Sequence, residues 1–444
     1  MAVDRASAPI PAASIRLDPG SASTAYRYLC VAILALAYTF NFLDRQILAL
    51  LAEPVRNELH LSDAQIGLLT GFAFALFYTV FGVPIAWFAD RSHRVRIVAL
   101  ACAVWSLFSA AGGLATSFMQ LAVARIGVGI GEAGGTTPSY AIISDYFPPK
   151  KRGVALALYS LGVPFGTAVG AALGGGVAAH YGWRAAFFAV GLPGLLIALL
   201  ILAVVREPAR GAQDDRSLVH EIEPARLGEV IRMFFGNPVL LWTALGTGLA
   251  AFVGYGMGNW TPSFLIRHQH MTLLQLSGVY SICIGAALGL GTWLSGYLAD
   301  RLSKANPRAY AMIPMWGSIL AMPFVIVAFL SNSWMVSLGC LTVSGALGIV
   351  YLAPALAVVQ NAVPPQARST AGALLLLVLN LIGLGGGPVC VGLLSDALKP
   401  RYGVDSLQIA LLSMTPMMLV VAGVFLLASR AMGRAARDSA DLLV

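Results

Sequence analysis

Four ionisable side chains lie deep inside long apolar stretches of the chain: Asp44 and Arg45 in the first, Arg125 and Glu132 in the fourth. A charge at the centre of a bilayer costs about 2.5–3.5 kcal/mol on insertion scales, so these residues need a compensating role. One role is structural, as ion pairs that fix the first stretch against the fourth. The other is proton transfer, because a carboxyl group beside a movable arginine can alternate between protonated and ionised forms.

The depth of each group follows from the helical rise. Asp44 lies about 24 Å along the first helix from its inner end, while Arg125 and Glu132 lie about 9 Å and 20 Å below the outer boundary. In an apolar core about 30 Å thick, Asp44 and Arg125 share the outer third and are predicted to pair. Glu132 lies near the centre, two turns from Arg125. It is predicted to hold a proton when its cavity is dry and to release it when the cavity opens to water.

The composition requires a membrane protein. Of 444 residues, 58% are hydrophobic and 11% are charged, and the mean hydropathy is +0.79. A soluble domain carries about 25% charged residues, so a soluble enzyme, a secreted disulfide scaffold and a disordered protein are excluded. We predict an all-α polytopic protein of twelve spans, at 28–51, 65–89, 96–116, 119–144, 154–178, 184–205, 238–263, 273–298, 309–330, 334–359, 369–394 and 406–429.

Charge placement predicts the orientation. The longest polar gap, 206–237, is a predicted cytoplasmic linker between two six-helix halves, 27–205 and 238–429, with cytoplasmic tails at 1–26 (disordered) and 430–444. With both termini inside, 21 of the 28 Lys and Arg residues fall on the cytoplasmic side and 5 on the other. This bias follows the positive-inside rule and predicts a multi-pass protein of the plasma (inner) membrane, not a nucleic-acid partner.

The two halves repeat. Ala-Trp-Phe-Ala-Asp-Arg at 86–91 matches Gly-Tyr-Leu-Ala-Asp-Arg at 296–301, an offset of 210, and Pro-Pro at 148–149 matches Pro-Pro at 364–365, an offset of 216. Parallel six-helix repeats build the major facilitator fold, which places a substrate site between the halves near the midplane.

Several motifs carry a family resemblance. The loop with Asp90 and Arg91 resembles the major facilitator signature loop, although Ala86 and His93 stand where glycine is usual. The segments Asn-Phe-Leu-Asp-Arg-Gln (41–46), Arg-Ile-Gly-Val-Gly-Ile-Gly-Glu-Ala (125–133), Ser-Asp-Tyr-Phe-Pro-Pro (144–149) and Tyr-Gly-Trp-Arg (181–184) together resemble the Spinster family over about 40–207. That resemblance implies proton-linked export of lysolipids and sphingoid lipids.

The C-terminal half has no deep charge in its predicted spans. It offers aromatic and amide side chains for a substrate cavity, namely Tyr255, Asn259, Trp260, Phe264, Tyr351 and Asn380. These side chains could equally be interfacial anchors or packing groups. A cavity polar on one wall and apolar on the other suits an amphiphile.

The loop motifs have a separate predicted role. In the family, such residues form a cytoplasmic latch, and we expect Asp90 to pair with Arg368 in the outward-facing state. The predicted latch comprises Asp90, Arg91, Arg94, Asp145, Arg152, Asp300, Arg301 and Arg368. The glycines of the fifth stretch permit close helix contact and resemble the Gly-Pro motif of antiporters, which favours antiport.

The sequence thus favours a proton-coupled, alternating-access exporter of a lysophospholipid or sphingoid lipid, with Asp44 and Glu132 as proton carriers and Arg45 and Arg125 as their partners. We expect a monomer in the bilayer, with protons as the coupling ion and no cofactor or metal. One alternative is a transporter of small organic anions or drugs; another is a receptor or scaffold without transport. No His-Glu zinc motif, activated nucleophile or phosphate loop supports an enzyme.

Overall fold

The computed structural model describes residues 23–89, 91–211, 213, 227–304, 306–364 and 367–441. These ranges are almost wholly helical, without a β-strand element. Nine of their helical segments are long and apolar enough to cross a membrane. Two of the nine, Lys151–Val204 and Thr370–Arg437, contain 54 and 68 residues, whereas one crossing needs about 20. The all-α multi-pass fold is confirmed, and the count of twelve spans stays a prediction.

The N-terminal half contains eight helices. They are α1 (Thr24–Leu50), α2 (Ala52–Leu59), α3 (Asp63–Ala89), α4 (Arg94–Gly112), α5 (Phe118–Ala133), α6 (Thr136–Tyr146), α7 (Pro149–Ser160) and α8 (Gly162–Val204). The fourth predicted span is therefore two helices, since α5 ends before Gly134. Within α8, Gly182 has φ +83°, a left-handed conformation that separates the fifth and sixth predicted spans.

The C-terminal half contains ten helices. They are α9 (Leu227–Gly236), α10 (Pro238–Arg267), α11 (Leu273–Leu302), α12 (Ala309–Leu330), α13 (Trp334–Gly348), α14 (Leu352–Ala362), α15 (Arg368–Val378), α16 (Gly387–Tyr402), α17 (Ser406–Leu412) and α18 (Met414–Asp441). A π-helical stretch, Leu379–Gly386, joins α15 to α16.

Two segments predicted to lie outside the spans contain helix. The predicted linker 206–237 contains α9, whose Val230 and Phe234 are buried in an apolar cluster. The last helix, α18, continues past residue 429 to Asp441, so most of the predicted C-terminal tail is helical. Residues 1–22 of the predicted N-terminal tail and residues 214–226 of the linker lie outside the described ranges.

The backbone repeats at the offset found in the sequence. His60 and His270, 210 residues apart, both have positive φ, of 52° and 54°. Each precedes a capping box, built on Ser62 before α3 and on Thr272 before α11. Both helices also turn π-helical near their starts. The repeat therefore extends from the loop motifs to local backbone geometry.

The halves meet most closely at one end of the bundle. We call the end where α1 finishes and α3 begins the distal side, and the end where α1 begins and α18 finishes the terminal side. On the distal side, a Cβ at Gly67 would lie 2.5 Å from the Pro388 carbonyl oxygen, so α3 touches the α16 backbone directly. A Cβ at Gly175 of α8 would lie 2.9 Å from the Ser277 Cβ of α11. Glycine thus permits backbone contact between the halves.

Candidate functional site

The four predicted intramembrane charges form one group, which we call the charge cluster: Asp44, Arg45, Arg125 and Glu132. Asp44, Arg125 and Glu132 are at most 2% exposed, and the Arg45 side chain is 13% exposed. In the described part of the chain, every fully buried charged side chain belongs to the N-terminal half. The cluster is therefore a property of one half.

Glycines in α5 bring its charges close to α1. A Cβ at Gly131 would lie 2.6 Å from the Trp105 backbone nitrogen of α4, and one at Gly129 would lie 2.8 Å from the Phe74 carbonyl oxygen of α3. Because α5 lies directly against both helices, its remaining face carries Arg125 and Glu132 towards α1, two turns apart.

The first helix is held from the other side by α8. A Cβ at Gly166 would overlap the Thr39 carbonyl oxygen, and one at Gly170 would lie 3.0 Å from the Leu43 Cα. The close contact predicted for the glycines of this stretch is present. It places the α1 backbone, and with it Asp44 and Arg45, within reach of α4 and α5.

The strongest contact in the cluster joins Arg45 to Glu132. The Arg45 Nε donates to the Glu132 Oε2 at 2.6 Å. Three aromatic rings surround the guanidinium, with the Arg45 Cζ 4.8, 4.9 and 4.7 Å from the ring centroids of Phe42, Phe74 and Tyr78. These cation–π contacts help a buried guanidinium to replace its hydration.

The predicted pairing of Asp44 with Arg125 is wrong. The Asp44 carboxylate accepts a hydrogen bond from the Ser109 hydroxyl of α4. Arg125 donates instead to main-chain carbonyls, from Nη1 to Asp44 and from Nε to Leu69, each at 3.4 Å. Glu132, two turns from Arg125, pairs with Arg45 instead. Consecutive residues of a helix point about 100° apart, so Asp44 faces α4 while Arg45 faces α5.

One oxygen of the Glu132 carboxylate is not engaged by its arginine. Among the described residues, the buried atoms Glu132 Oε1, Asn41 Oδ1 and Trp105 Nε1 make no hydrogen bond of good geometry, although the Asn41 side chain lies close enough to the Glu132 carboxylate to interact with it. Asn41 and Trp105 also line a cavity of about 10 Å³, which is the space one water occupies. Unpaired buried polar atoms cost free energy, so Glu132 Oε1 is an available acceptor for a proton or a ligand donor.

The C-terminal half meets the cluster through tyrosines. Tyr255 on α10 lies close enough to Arg45 to interact with it electrostatically, and Tyr351 lies near Tyr255. Asn259 donates from Nδ2 to the Tyr255 carbonyl oxygen at 2.9 Å, and Asn380 is half-buried in the π-helical stretch. Tyr255 is therefore the predicted cavity residue that the structure brings to the charge cluster.

Two predicted cavity residues are packing residues instead. Trp260 is 1% exposed and donates from Nε1 to the Pro388 carbonyl oxygen at 2.9 Å. Phe264 is fully buried, with its ring edge-on to Phe329 at a centroid distance of 4.9 Å. Both lie farther along α10, one and two turns beyond Tyr255, where the helix contacts α16 and α12 rather than the cavity.

A second group of charges, the distal network, joins the halves on the distal side. Arg267 at the end of α10 donates to both Asp63 oxygens at 2.8 and 2.7 Å and to Glu53 at 2.7 Å. From α16, Ser395 donates to Asp63 at 2.7 Å, and the Asp396 carboxylate accepts from the Asp63 backbone N–H at 3.1 Å. These bonds close the distal side.

Sequence reasoning missed the distal network. Asp63 follows the N-cap Ser62, where an acidic residue is expected simply to stabilise a helix start. Arg267 contributed only to a charge count. Beside it, burial lowers the pKa of His268, whose Nδ1 lies 3.7 Å from Asp405 Oδ1. Arg56 is a second cation of the distal network, 3.5 Å from the Glu53 carboxylate and 3.8 Å from that of Asp63.

On the terminal side, the group of ion pairs around Arg94 joins residues of the N-terminal half to the segment that follows it. Arg94 donates to Asp145 at 2.6 Å and to Glu207 at 2.8 Å, and Asp145 accepts from the Gly211 backbone N–H at 3.0 Å. The predicted latch residues Arg94 and Asp145 therefore tie α4 and α6 to the segment after α8. Glu207, which the sequence reasoning left out, completes this group.

The other six predicted latch residues lie at other helix ends or outside the described residues. Asp90 lies outside the described residues, so its predicted pairing with Arg368 stays a prediction. Arg91 lies over the ring of Trp87, with its Cζ 4.0 Å from the centroid, and Arg301 donates from Nη1 to the Tyr297 hydroxyl at 2.5 Å. The remaining three are exposed or half-exposed at helix ends: Arg152, Asp300 and Arg368.

Comparisons with known proteins agree with this architecture. Residues 34–388 match the family model of the Major Facilitator Superfamily. An "MFS-type efflux pump" of Mycolicibacterium smegmatis is 34% identical over 397 residues, covering 89% of this chain and 91% of the relative. "Protein spinster homolog 3" of Danio rerio is 28% identical, covering 94% of this chain and 87% of the relative.

A solved structure is similar over nearly the whole chain. It is a bacterial homologue of the human lysosomal transporter Spinster, described as inward-facing and unoccupied. The two align with a TM-score of 0.86 and 32% sequence identity, covering 93% of this chain and 99% of the other.

Proposed function

Because the chain belongs to the Spinster family of the Major Facilitator Superfamily, and is therefore a multi-pass secondary transporter rather than an enzyme, we propose that it exchanges protons for an amphiphilic lipid. The substrate class is a lysophospholipid or a sphingoid lipid, and the direction is export. The protein works as a monomer in the inner membrane with both termini in the cytoplasm. Protons are its coupling ion, and it uses no other cofactor.

The observation that carries the proposal is the half-engaged carboxylate of Glu132. Its Oε2 is held by Arg45, while its Oε1 makes no hydrogen bond of good geometry among the described residues. Oε1 can accept a proton or an N–H donor of a lipid headgroup. A bound proton removes the negative charge of the carboxylate and so weakens, without abolishing, its hydrogen bond to the headgroup. This competition is what an antiporter needs.

Asp44 supplies a second titratable carboxyl in this proposal. Its carboxylate points towards α4, where it accepts a hydrogen bond from Ser109, whereas the Glu132 carboxylate is bound by Arg45. Protons from outside reach Asp44 first when the carrier opens outward, since it lies nearer the distal side. Arg125 holds the carbonyl oxygen of Asp44 and thereby fixes the α1 backbone at this level.

The opposite wall suits the apolar part of the substrate. Tyr255 and Tyr351 approach the cluster from the C-terminal half, in which the described residues include no fully buried charge. A headgroup at Glu132 and an acyl chain along the tyrosines would satisfy both walls. A sugar would need polar groups on both.

The closed distal network supports an inward-facing state. With the terminal side in the cytoplasm, bonds from Arg267 to Glu53 and Asp63 separate the cavity from the outside. The similar bacterial Spinster homologue is itself described as inward-facing. Opening outward requires these bonds to break, and we expect the Asp90–Arg368 latch to form at that stage.

Flux in proteoliposomes tests the function. We expect a pH gradient to drive lysophospholipid or sphingoid-base transport in the wild type. Asp44→Asn should abolish that transport while keeping the fold, and Glu58→Gln, which alters a carboxylate outside the cluster, should leave it unchanged. Uphill lipid transport by Asp44→Asn would contradict the proton role of that residue.

The same assay separates the alternatives. Small organic acids that compete fully with the lipid would favour an organic-anion carrier, with Arg45 as the carboxylate ligand. Absence of both lipid and organic-acid flux from correctly folded protein would favour a receptor or scaffold.

A further inference from the structure

A basic cavity lies on the terminal side of the C-terminal half, away from the charge cluster and the distal network. Its volume is about 350 Å³, and it separates the turn before α12 from the last turns of α18. Arg308 lines one wall and Arg437 the other, with Asn306 and Gly433 between them. The proposed transport mechanism uses none of these residues.

Both guanidinium groups are available to a ligand. Among the described residues, neither Arg308 nor Arg437 has a side-chain hydrogen bond or an ion pair. Two planar donor groups on facing walls match the oxygens of a phosphate group, to which arginine binds in bidentate fashion.

Gly433 fixes the position of one of these groups. The Arg308 guanidinium lies directly over the α18 backbone, so a Cβ at Gly433 would overlap its Nε and Nη2 atoms. Arg308 is half-buried in this position, whereas the other described cations on this side of the C-terminal half are exposed. Because Gly433 has no side chain, the Arg308 guanidinium can lie against α18, and this contact fixes one cation of the cavity.

The level of the cavity identifies the source of the phosphate. With 28 residues, α18 is about 42 Å long, which exceeds the apolar core of a bilayer by about two turns. Its apolar section ends at Ser429, and Arg430, Arg434 and Arg437 follow on one face, at spacings of four and three. The cavity thus lies where lipid headgroups lie, and basic pockets there attract anionic lipids.

We propose that this cavity binds the phosphate of an anionic phospholipid from the leaflet on the terminal side. The headgroup would bridge Arg308 and Arg437 and so tie the turn before α12 to the end of α18. This assignment goes beyond the proposed transport function, because it depends on the bilayer position of α18 and not on proton coupling.

Lipid binding to the purified full-length protein tests the site. The probes are short-chain phosphatidylglycerol and phosphatidylcholine of equal chain length, at physiological ionic strength, with affinity measured by native mass spectrometry or thermophoresis. We expect phosphatidylglycerol to bind more tightly. Arg308→Gln and Arg437→Gln should each weaken its binding about fivefold, which corresponds to about 1 kcal/mol per cation near the surface.

Two further variants separate the site from diffuse charge. Gly433→Ala keeps every charge but should displace Arg308 and weaken binding as much as Arg308→Gln does. Arg430→Gln removes a cation of the same helix outside the cavity and should change the affinity less than twofold. Arg308→Lys, which keeps the charge without the bidentate geometry, should be intermediate and provides a test if Gly433→Ala fails to fold.

Three results would overturn the proposal. Equal binding of the two lipids would show that the cavity does not select an anionic headgroup. An equal loss for Arg430→Gln and Arg308→Gln would show diffuse attraction. Full displacement of the lipid by inorganic phosphate at equal concentration would assign the site to a soluble anion.

Discussion

The two halves begin α3 and α11 with the same left-handed histidine and the same capping box, yet they differ in buried charge. In the described chain, the N-terminal half holds all the fully buried charged residues, whereas the C-terminal half faces the cluster with tyrosines. A shared backbone plan thus does not require shared chemistry. Under the proposed function, proton coupling and substrate shape depend on separate halves, and variants can test that division.

The largest effect is expected for Arg45→Ala. It leaves Glu132 buried without its cation, and breaking a buried pair in this way costs about 3–5 kcal/mol. Thermal unfolding in detergent should show this loss, and transport should stop. The double variant Arg45→Ala with Glu132→Gln should recover most of the stability but not the transport. Wild-type stability in the single variant would mean that the pair contributes little.

Glu132 should separate binding from coupling. Glu132→Gln keeps an oxygen acceptor at the position of the carboxylate but cannot exchange a proton, so it should bind substrate and lose proton-linked flux. Glu132→Ala should weaken binding as well. Substrate affinity and flux in proteoliposomes measure both. If the two variants behave alike and flux remains coupled to the pH gradient, Glu132 is a packing residue.

Arg267→Gln tests a contact that joins the halves rather than one within a half. Each lost charge-assisted bond is worth about 1.5–3 kcal/mol, so the open distal state should gain population about tenfold or more. Thiol labelling of Ser277→Cys, in a background without native cysteines, should accelerate accordingly. Arg184→Gln is the matched control, because its partner Glu58 belongs to the same half. Equal labelling rates in the two variants would remove the distal network from the gating mechanism.

The smallest effects are expected in the C-terminal half. Tyr255→Leu should raise KM severalfold with little change in stability, since Tyr255 lies close enough to Arg45 to interact with it electrostatically. Trp260→Phe should lower the stability without changing KM. It loses the hydrogen bond to the Pro388 carbonyl oxygen, worth about 1 kcal/mol, and leaves the cavity intact. A KM change for Trp260→Phe without a stability change would restore Trp260 to the cavity wall.

The sequence could predict the level of each buried charge but not the direction in which it points. Rise per residue correctly brought α1 and α5 together at Asp44 and Arg125, because depth depends only on counting. Pairing depends on rotation about the helix axis, which the neighbouring glycines of α5 and α8 set through close contacts. Because of the 100° step between Asp44 and Arg45, it is Arg45 that meets a carboxylate of α5, while Asp44 meets Ser109 of α4.

The distal network could not be predicted from the sequence for a different reason. Asp63 occupies a position where a helix start alone explains an acidic residue, and its partner Arg267 is 204 residues away. Trp260 likewise gives no sign in the sequence of which face of α10 meets α16. Contacts between distant helices depend on how the halves dock, and neither composition nor periodicity encodes that.

The charge cluster has an electrical consequence. Its two arginines and two carboxylates sum to zero when both acids are ionised, so each proton taken up gives this part of the protein one net positive charge. A charge that crosses the whole membrane field gains or loses about 2.3 kcal/mol per 100 mV. In a cell with a negative interior, the membrane voltage would then act on the same carboxyl groups as the pH difference. For a substrate without net charge, the proposed exchange would respond to both components of the proton-motive force, and an ionophore that collapses the voltage alone should slow it.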